Sequence, residues 1–131
     1  MAKKPAPPLG VLKYLYVGSG MFDADADFYG GVIGAEKVWD FNNFGARVAA
    51  FRVADGPLFI LADHRLAPSC LPVFAVADVE TTTAELRSRG WKAEAGPFEI
   101  PDGPCYLFRD RSGNQLAVFG NVRPDALMRH R

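Results

Sequence analysis

The sequence predicts an α+β fold built from two βαβββ modules, and two observations predict it. The order strand, helix, strand, strand, strand runs through the first half of the chain and returns in the second, with a period of roughly 60 residues. Chain reversals are frequent: the 131 residues include 13 glycines and 10 prolines, which suits many short strands. Each half alone would leave one face of a small four-stranded sheet uncovered, so the halves are expected to pack together.

The elements follow from local residue chemistry. Residues 11–17 (Val-Leu-Lys-Tyr-Leu-Tyr-Val) are β-branched, aliphatic and aromatic, and read as a strand. Strict alternation would put Leu12, Tyr14 and Tyr16 on one face and Lys13, Leu15 and Val17 on the other. Gly18-Ser19-Gly20 breaks the strand. Residues 22–34 carry apolar side chains at helical spacing (Phe22, Tyr29, Ile33; Phe28, Val32), and Asp23, Asp25 and Asp27 crowd the first turns, where carboxylates suit the positive end of the helix dipole. An EF-hand reading of the three aspartates fails, because Phe28-Tyr29 follows where a glycine and a distal glutamate are needed. Gly34 is a C-terminal cap. Strands are then expected at 35–41, 47–53 and 58–62, separated by turns at Asn42-Asn43-Phe44-Gly45 and Asp55-Gly56-Pro57.

The second half repeats this order. Residues 71–77 form a strand, Asp78 caps a helix reaching Arg89, and Gly90 ends it. A strand at 91–94 is interrupted by Ala95-Gly96-Pro97 and continues at 98–100. Pro101-Asp102-Gly103-Pro104 is a turn, and strands at 105–109 and 115–119 close the chain. Between these last two, Asp110, Ser112, Gly113 and Asn114 form a tight turn in which Asp110 can bond the backbone two residues on. The expected organisation is a flexible tail over residues 1–9, a first module over 10–64, a linker over 65–70, a second module over 71–120, and a polar, basic tail over 121–131 with a helical turn.

Bulk properties narrow the function. Fifteen Lys and Arg balance fifteen Asp and Glu, so no basic excess exists to neutralise phosphates, and a nucleic-acid partner is not expected. Cys70 and Cys105 have neither zinc-like spacing nor a Cys-x-x-Cys motif and read as ordinary thiols. No apolar run approaches the roughly 20 residues of a membrane span. The two lysines near the start are not followed by the apolar stretch of a signal peptide, so a cytoplasmic location is expected.

Three stretches resemble the vicinal oxygen chelate superfamily, which includes glyoxalase I, extradiol dioxygenases and bleomycin-resistance proteins. Asp27-Phe28-Tyr29-Gly30-Gly31-Val32-Ile33-Gly34 is similar to its helix ending Phe-Tyr-x-x-Val-Leu-Gly. Val76-Ala77-Asp78-Val79 with Ala84-Glu85-Leu86-Arg87-Ser88-Arg89-Gly90 resembles its second strand–helix pair. Phe108-Arg109-Asp110-Arg111-Ser112-Gly113-Asn114-Gln115-Leu116-Ala117 resembles its closing hairpin, Phe-x-Asp-Pro-x-Gly-Asn-x-x-Glu-Leu. The resemblance implies two βαβββ modules forming a curved mixed sheet around a cleft, and commonly a homodimer.

Enzymes of that superfamily hold a divalent metal with His and Glu from the first and last strands of each module. Carried over one at a time, those positions fall on Leu12 or Tyr14, on or near Ile60, near Leu71, and on Ala117. None is a metal ligand of the required kind, and a slip of one residue does not recover one. The chain has two histidines, His64 at a strand end and His130 in the tail. Neither a metal nor another cofactor is therefore expected.

Leu, Ile, Ala and Tyr at those positions turn a metal cup into an apolar cleft. The expected ligand-binding residues are Tyr14, Trp39, Phe41, Phe44, Arg47, Phe51, Ile60 and Tyr106, with Arg47 and Asp63 as polar anchors. Tyr16 is a further aromatic candidate for the cleft. Such a lining suits a flat or bulky, weakly charged organic ligand held by stacking and burial. The expected function is non-catalytic small-molecule binding, as in drug-sequestering members. The alternative is a lyase, isomerase or dioxygenase-like enzyme with a divergent or metal-free site, for which Tyr14, Asp63, His64 and Cys105 are the acid–base candidates. No catalytic residue is assigned, because no nucleophile–base pair is apparent.

Overall fold

The computed structural model describes residues 9–43 and 45–124. Phe44, the N-terminal tail up to residue 8 and the expected helical turn near the C-terminus lie outside the described residues. The first module comprises β1 (Val11–Gly18), α1 (Phe22–Asp27) continuing into a π-helical stretch (Phe28–Ile33), β2 (Glu36–Asn43), β3 (Ala46–Arg52) and β4 (Leu58–Ala62). The second comprises β5 (Cys70–Val76), α2 (Val79–Ser88), β6 (Ala95–Ile100), β7 (Gly103–Arg109) and β8 (Gln115–Gly120).

All eight strands form one curved mixed sheet in the order β2-β3-β4-β1-β5-β8-β7-β6. The βαβββ repeat is visible in the pairing. β1 lies parallel to β4 and β5 lies parallel to β8, while β1 and β5 meet antiparallel at the centre. Both sides of the sheet are apolar. One side carries a core around Tyr14, Trp39, Ile60, Leu71 and Phe119. On the other, α1 covers Ala49, Phe51 and Leu61 with Phe22, and α2 covers Phe108 and Val118 with Val79 and Leu86.

Three local departures from the sequence reading have physical causes. The first helix does not run as an α-helix from 22 to 34. Gly30 and Gly31 loosen it, the last turns widen to π-helical spacing, and Gly34 closes it at φ +79° with its N–H donating to the Tyr29 carbonyl. The strand expected at 91–94 is irregular. Trp91 docks there instead, its Nε1–H donating to the Arg109 carbonyl at 2.8 Å and its ring packing on Phe108. β6 starts at Ala95 and takes Gly96-Pro97 into an edge-strand bulge against β7, where a proline costs no ladder bond on the open side.

The third departure concerns β1. Its register with β5 shifts between Leu12 and Tyr14, so Lys13 sits in a bulge. Lys13 therefore does not join Leu15 and Val17 on the far side. Its ammonium lies 5.5 Å from the Tyr14 ring centroid and 5.9 Å from that of Phe119, on the side of the first core.

Elsewhere the local chemistry is as read. Asp78 caps α2, accepting from Glu80 N and Thr81 N at 3.1 and 3.2 Å. In the closing hairpin Asp110 accepts from Ser112 N at 3.0 Å and from Asn114 N at 2.8 Å, with Gly113 at φ +94°. No helix among the described residues is long and apolar enough to cross a membrane.

Candidate functional site

The concave side of the sheet holds a cavity of about 420 Å³. That lies within the roughly 300–1,000 Å³ of small-molecule sites. Its walls follow from strand register. Tyr16 pairs with Ile60 on β4 and with Leu71 on β5, and one step along β1 Tyr14 pairs with Leu58 and Val73, which in turn pairs with Ala117 on β8. Tyr14, Ile60, Leu71 and Ala117 therefore lie in two adjacent rows across the four central strands, and all four line the cavity. The resemblance carries the superfamily's metal ligands onto Leu12 or Tyr14, on or near Ile60, near Leu71 and onto Ala117, and of Leu12 and Tyr14 it is Tyr14 that lines the cavity.

Four of the residues expected from sequence to bind a ligand line this cavity: Tyr14, Trp39, Phe41 and Ile60. Trp39 and Phe41 stack at 4.9 Å between ring centroids, 23° from parallel, and form one aromatic wall on β2. Three others lie elsewhere. Phe51 belongs to the core beneath α1, 5.5 Å from the Tyr29 ring. Tyr106 belongs to the core beneath α2, where its hydroxyl donates to Glu80. Arg47 pairs with Asp23 at 2.6 Å over the Phe22 ring. On β3 and β7 the residues that face the cavity are the sequence neighbours of opposite parity: Val48 on β3, Cys105 and Leu107 on β7. Tyr16, also read as a candidate aromatic, lines the cavity as well.

Among the described residues two that line the cavity, Arg65 and Asp102, are charged, and the sequence reading assigned neither to the site. Asp102 sits in the turn between β6 and β7 and is 1% exposed. Its Oδ2 accepts from the Tyr14 hydroxyl at 2.7 Å and from the Lys13 ammonium at 3.4 Å. The β1 bulge lets two consecutive residues reach one carboxylate. The backbone holds the turn as firmly: the Asp102 carbonyl accepts from Val122 N and Arg123 N at 3.1 and 2.8 Å. The Arg123 guanidinium donates to the carbonyls of Ile100 and Pro101 and to Glu99. A Cβ on Gly103 would lie 1.9 Å from the Gly120 carbonyl oxygen, so only glycine permits this close approach.

Arg65 follows β4, half-buried, beside Tyr16. Burial raises the Tyr16 phenol above its ordinary value, and the Arg65 charge partly offsets this. Tyr16 Oη and His64 Nε2 lie 3.2 Å apart, which places His64 behind the cavity wall rather than in it. Asp63, expected as an anchor, instead accepts from the Arg47 backbone N–H at 2.9 Å. Cys105 is buried in the cavity wall, and burial pushes its thiol up to about 11. At neutral pH it is a protonated, apolar wall group and not a nucleophile.

The residues present do not fit the divalent metal of the superfamily's enzymes. Its four positions carry a phenol and three aliphatic side chains. Among the described residues no three His, Cys, Asp or Glu side chains gather as a metal would require. The aspartates near α1 are engaged individually: Asp25 accepts from Ser19 at 2.6 Å and Asp23 pairs with Arg47.

Comparisons with known proteins agree with this architecture. The fold matches methylmalonyl-CoA epimerase from Mycobacterium tuberculosis with a TM-score of 0.71, at 14% identity over 89% of this chain and 91% of that one. It matches Streptomyces coelicolor methylmalonyl-CoA epimerase, solved with 2-nitronate-propionyl-CoA, with a TM-score of 0.67, at 17% identity over 83% and 95%. A hypothetical protein from Bacillus halodurans matches with a TM-score of 0.67, at 11% identity over 81% and 90%. No protein of curated function matches by sequence. A family model described as the Glyoxalase/Bleomycin resistance protein/Dioxygenase superfamily matches residues 12–118, and the chain belongs to that superfamily.

Proposed function

We propose that the protein binds a bulky, largely apolar organic molecule in this cavity and does so without a metal ion. One observation carries the reading. Tyr14, Ile60, Leu71 and Ala117, residues at or near the positions onto which the resemblance carries the superfamily's metal ligands, all line one cavity together with the stacked Trp39 and Phe41. Aromatic walls at this spacing hold a planar or alicyclic body by area burial and offset stacking.

Fluorescence tests this. Trp91 lies beneath α2, remote from the cavity, so Trp91→Phe leaves Trp39 as the sole indole. Planar hydrophobic probes such as naphthalene are expected to quench or shift its emission saturably and to raise the melting temperature. Trp39→Leu is expected to weaken binding while preserving the fold. Trp39→Ala is the poorer variant, because deleting a buried indole costs about 3–5 kcal/mol and would confound unfolding with lost binding. Absence of saturable binding to a folded protein would overturn the reading.

A second reading has one observation in its favour. A buried carboxylate hydrogen-bonded to a phenol lines the cavity, and such a pair can exchange protons with a bound molecule. On this reading the protein is an isomerase-like enzyme of the same superfamily. Its signature would be solvent deuterium entering a bound carbonyl compound, followed by NMR and abolished by Asp102→Asn. Binding without exchange across such compounds would leave the non-catalytic reading standing.

A further inference from the structure

The two charged residues that line the cavity sit at opposite ends of it and differ in what they offer. β1 and β4 run parallel, so the end beyond Tyr16 is where β4 leaves the sheet through Asp63, His64 and Arg65. The turn carrying Asp102 lies at the other end, where Gly103 meets Gly120 beside the last residue of β5 and β5 ends opposite the start of β1. Asp102 is closed to a ligand. It is 1% exposed, Tyr14 and Lys13 occupy its Oδ2, and its Oδ1 is sealed off by burial. Apolar side chains make up most of the wall between the two ends.

Arg65 is open where Asp102 is closed. It is half-buried between the exposed His64 and Leu66. Among the described residues it forms no ion pair. Of its three guanidinium nitrogens Nε alone is buried without a partner; no hydrogen bond engages the other two, and these two reach solvent. Its charge acts on the Tyr16 phenol, offsetting part of the rise that burial causes, so the cation stands beside a ring of the cavity wall. The terminal nitrogens of a guanidinium form a planar fork that matches a carboxylate. At the far end Lys13 balances the Asp102 carboxylate, so no free negative charge awaits a cationic ligand.

We infer, building on the binding function proposed above, that the ligand class is an organic monoanion with its charge at one end. Its apolar body enters first and lies against Trp39 and Phe41. Its carboxylate stays at the solvent-facing end, on the terminal nitrogens of Arg65.

Titration calorimetry at neutral pH and low salt tests this with naphthalene, naphthoic acid, naphthylmethylamine and a hydroxynaphthoic acid whose two groups lie at opposite ends of the rings. On the wild-type chain naphthoic acid is expected to bind about fivefold tighter than naphthalene, as for a partly exposed ion pair. The cationic amine is expected to bind more weakly than naphthalene. Adding the hydroxyl to the acid is expected to cost affinity, because it is carried to the apolar end without a partner. Arg65→Met keeps the apolar stem and is expected to bring naphthoic acid level with naphthalene. Salt of about 1 M, where charges are screened beyond about 3 Å, is expected to narrow the same gap on the wild type. Arg65→Lys keeps the charge and is expected to retain part of the preference. If Arg65→Met fails to fold, the salt series and Arg65→Lys decide.

Equal affinity for naphthalene and naphthoic acid would overturn the inference and leave the apolar binding function intact. A preference for the acid that survives Arg65→Met would place the anion elsewhere and overturn the assignment to Arg65. Tighter binding on adding the hydroxyl would overturn the orientation. Failure of every probe to bind a folded protein would overturn both the inference and the function on which it rests.

Discussion

The Tyr14 hydroxyl donates to Asp102 Oδ2 at 2.7 Å across 88 positions of sequence, tying the central strand β1 to the turn between β6 and β7. Both residues are buried, so this bond forms away from competing water. Tyr14→Phe keeps the ring, and with it the stacking on Phe119 at 6.1 Å, but leaves Asp102 only its long contact with Lys13. The expected result is a stability loss of about 1.5–3 kcal/mol, the usual range for a hydrogen bond to a charged group. Urea unfolding of the two proteins measures it, and an unchanged midpoint would show that the bond contributes nothing net.

Gly103 offers a backbone test of the same turn. It adopts φ +154°, and a methyl group there would collide with the Gly120 carbonyl oxygen. Gly103→Ala is expected to destabilise by more than about 1 kcal/mol, because the native conformation is incompatible with a Cβ. Gly45→Ala is a useful control. It also has positive φ, but its Cβ would meet open space, so it reports conformational strain without collision. Thermal melts should place Gly103→Ala below Gly45→Ala.

These turn residues were the hardest part of the site to read from sequence. Pro101-Asp102-Gly103-Pro104 has the composition of a solvated turn, and nothing local reveals that Val122 and Arg123 bind its backbone or that Tyr14 and Lys13 reach its buried carboxylate. Arg65 was hidden in the same way, in a polar connection. The fold itself was legible, because the βαβββ order depends on turn formers and apolar runs that act locally. Side-chain parity was not. β3 and β7 are covered on both faces, by the cavity wall on one side and by a helix on the other, so alternation of polar and apolar residues is lost. That is why Phe51 and Tyr106 were expected in the cleft while Val48, Cys105 and Leu107 occupy it. On β2 Trp39 and Phe41, two residues apart, share the cavity face and both line the site expected of them. On β1 the bulge at Lys13 broke an alternation that the sequence shows as regular.

The closing hairpin gives a pH dependence whose sign is fixed. Hydrogen bonds from Asn114, through its side chain and its backbone, hold the Asp110 carboxyl below its ordinary value of 3.8. A lowered folded-state pKa contributes stability that is fully present above the unfolded value and is lost as pH falls through the folded one. Asp110→Ala is therefore expected to melt below the wild type at pH 7, with the gap closing as the pH is taken below 3.8. Melting curves from pH 7 downward check this. A gap that persists undiminished in strong acid would assign the effect to turn geometry rather than to the ionised carboxylate.

The two thiols report on the cavity from opposite environments. Cys70 is exposed, whereas Cys105 is buried in the cavity wall with its thiol pushed up to about 11. At pH 8 the Cys105 thiolate is on the order of one part in a thousand, and burial restricts access to it further. A disulfide reagent such as Ellman's is expected to modify Cys70 promptly and Cys105 only when the protein unfolds. Cys70→Ser isolates the slow thiol, and mass spectrometry of the labelled protein identifies it. If Cys105 labels in the native state, its rate measures how often the wall opens, and saturating naphthalene is expected to suppress it. Prompt labelling of Cys105 that the probe leaves unaltered would mean that the thiol is reached by a route other than the cavity, and its use as a reporter of occupancy would fail.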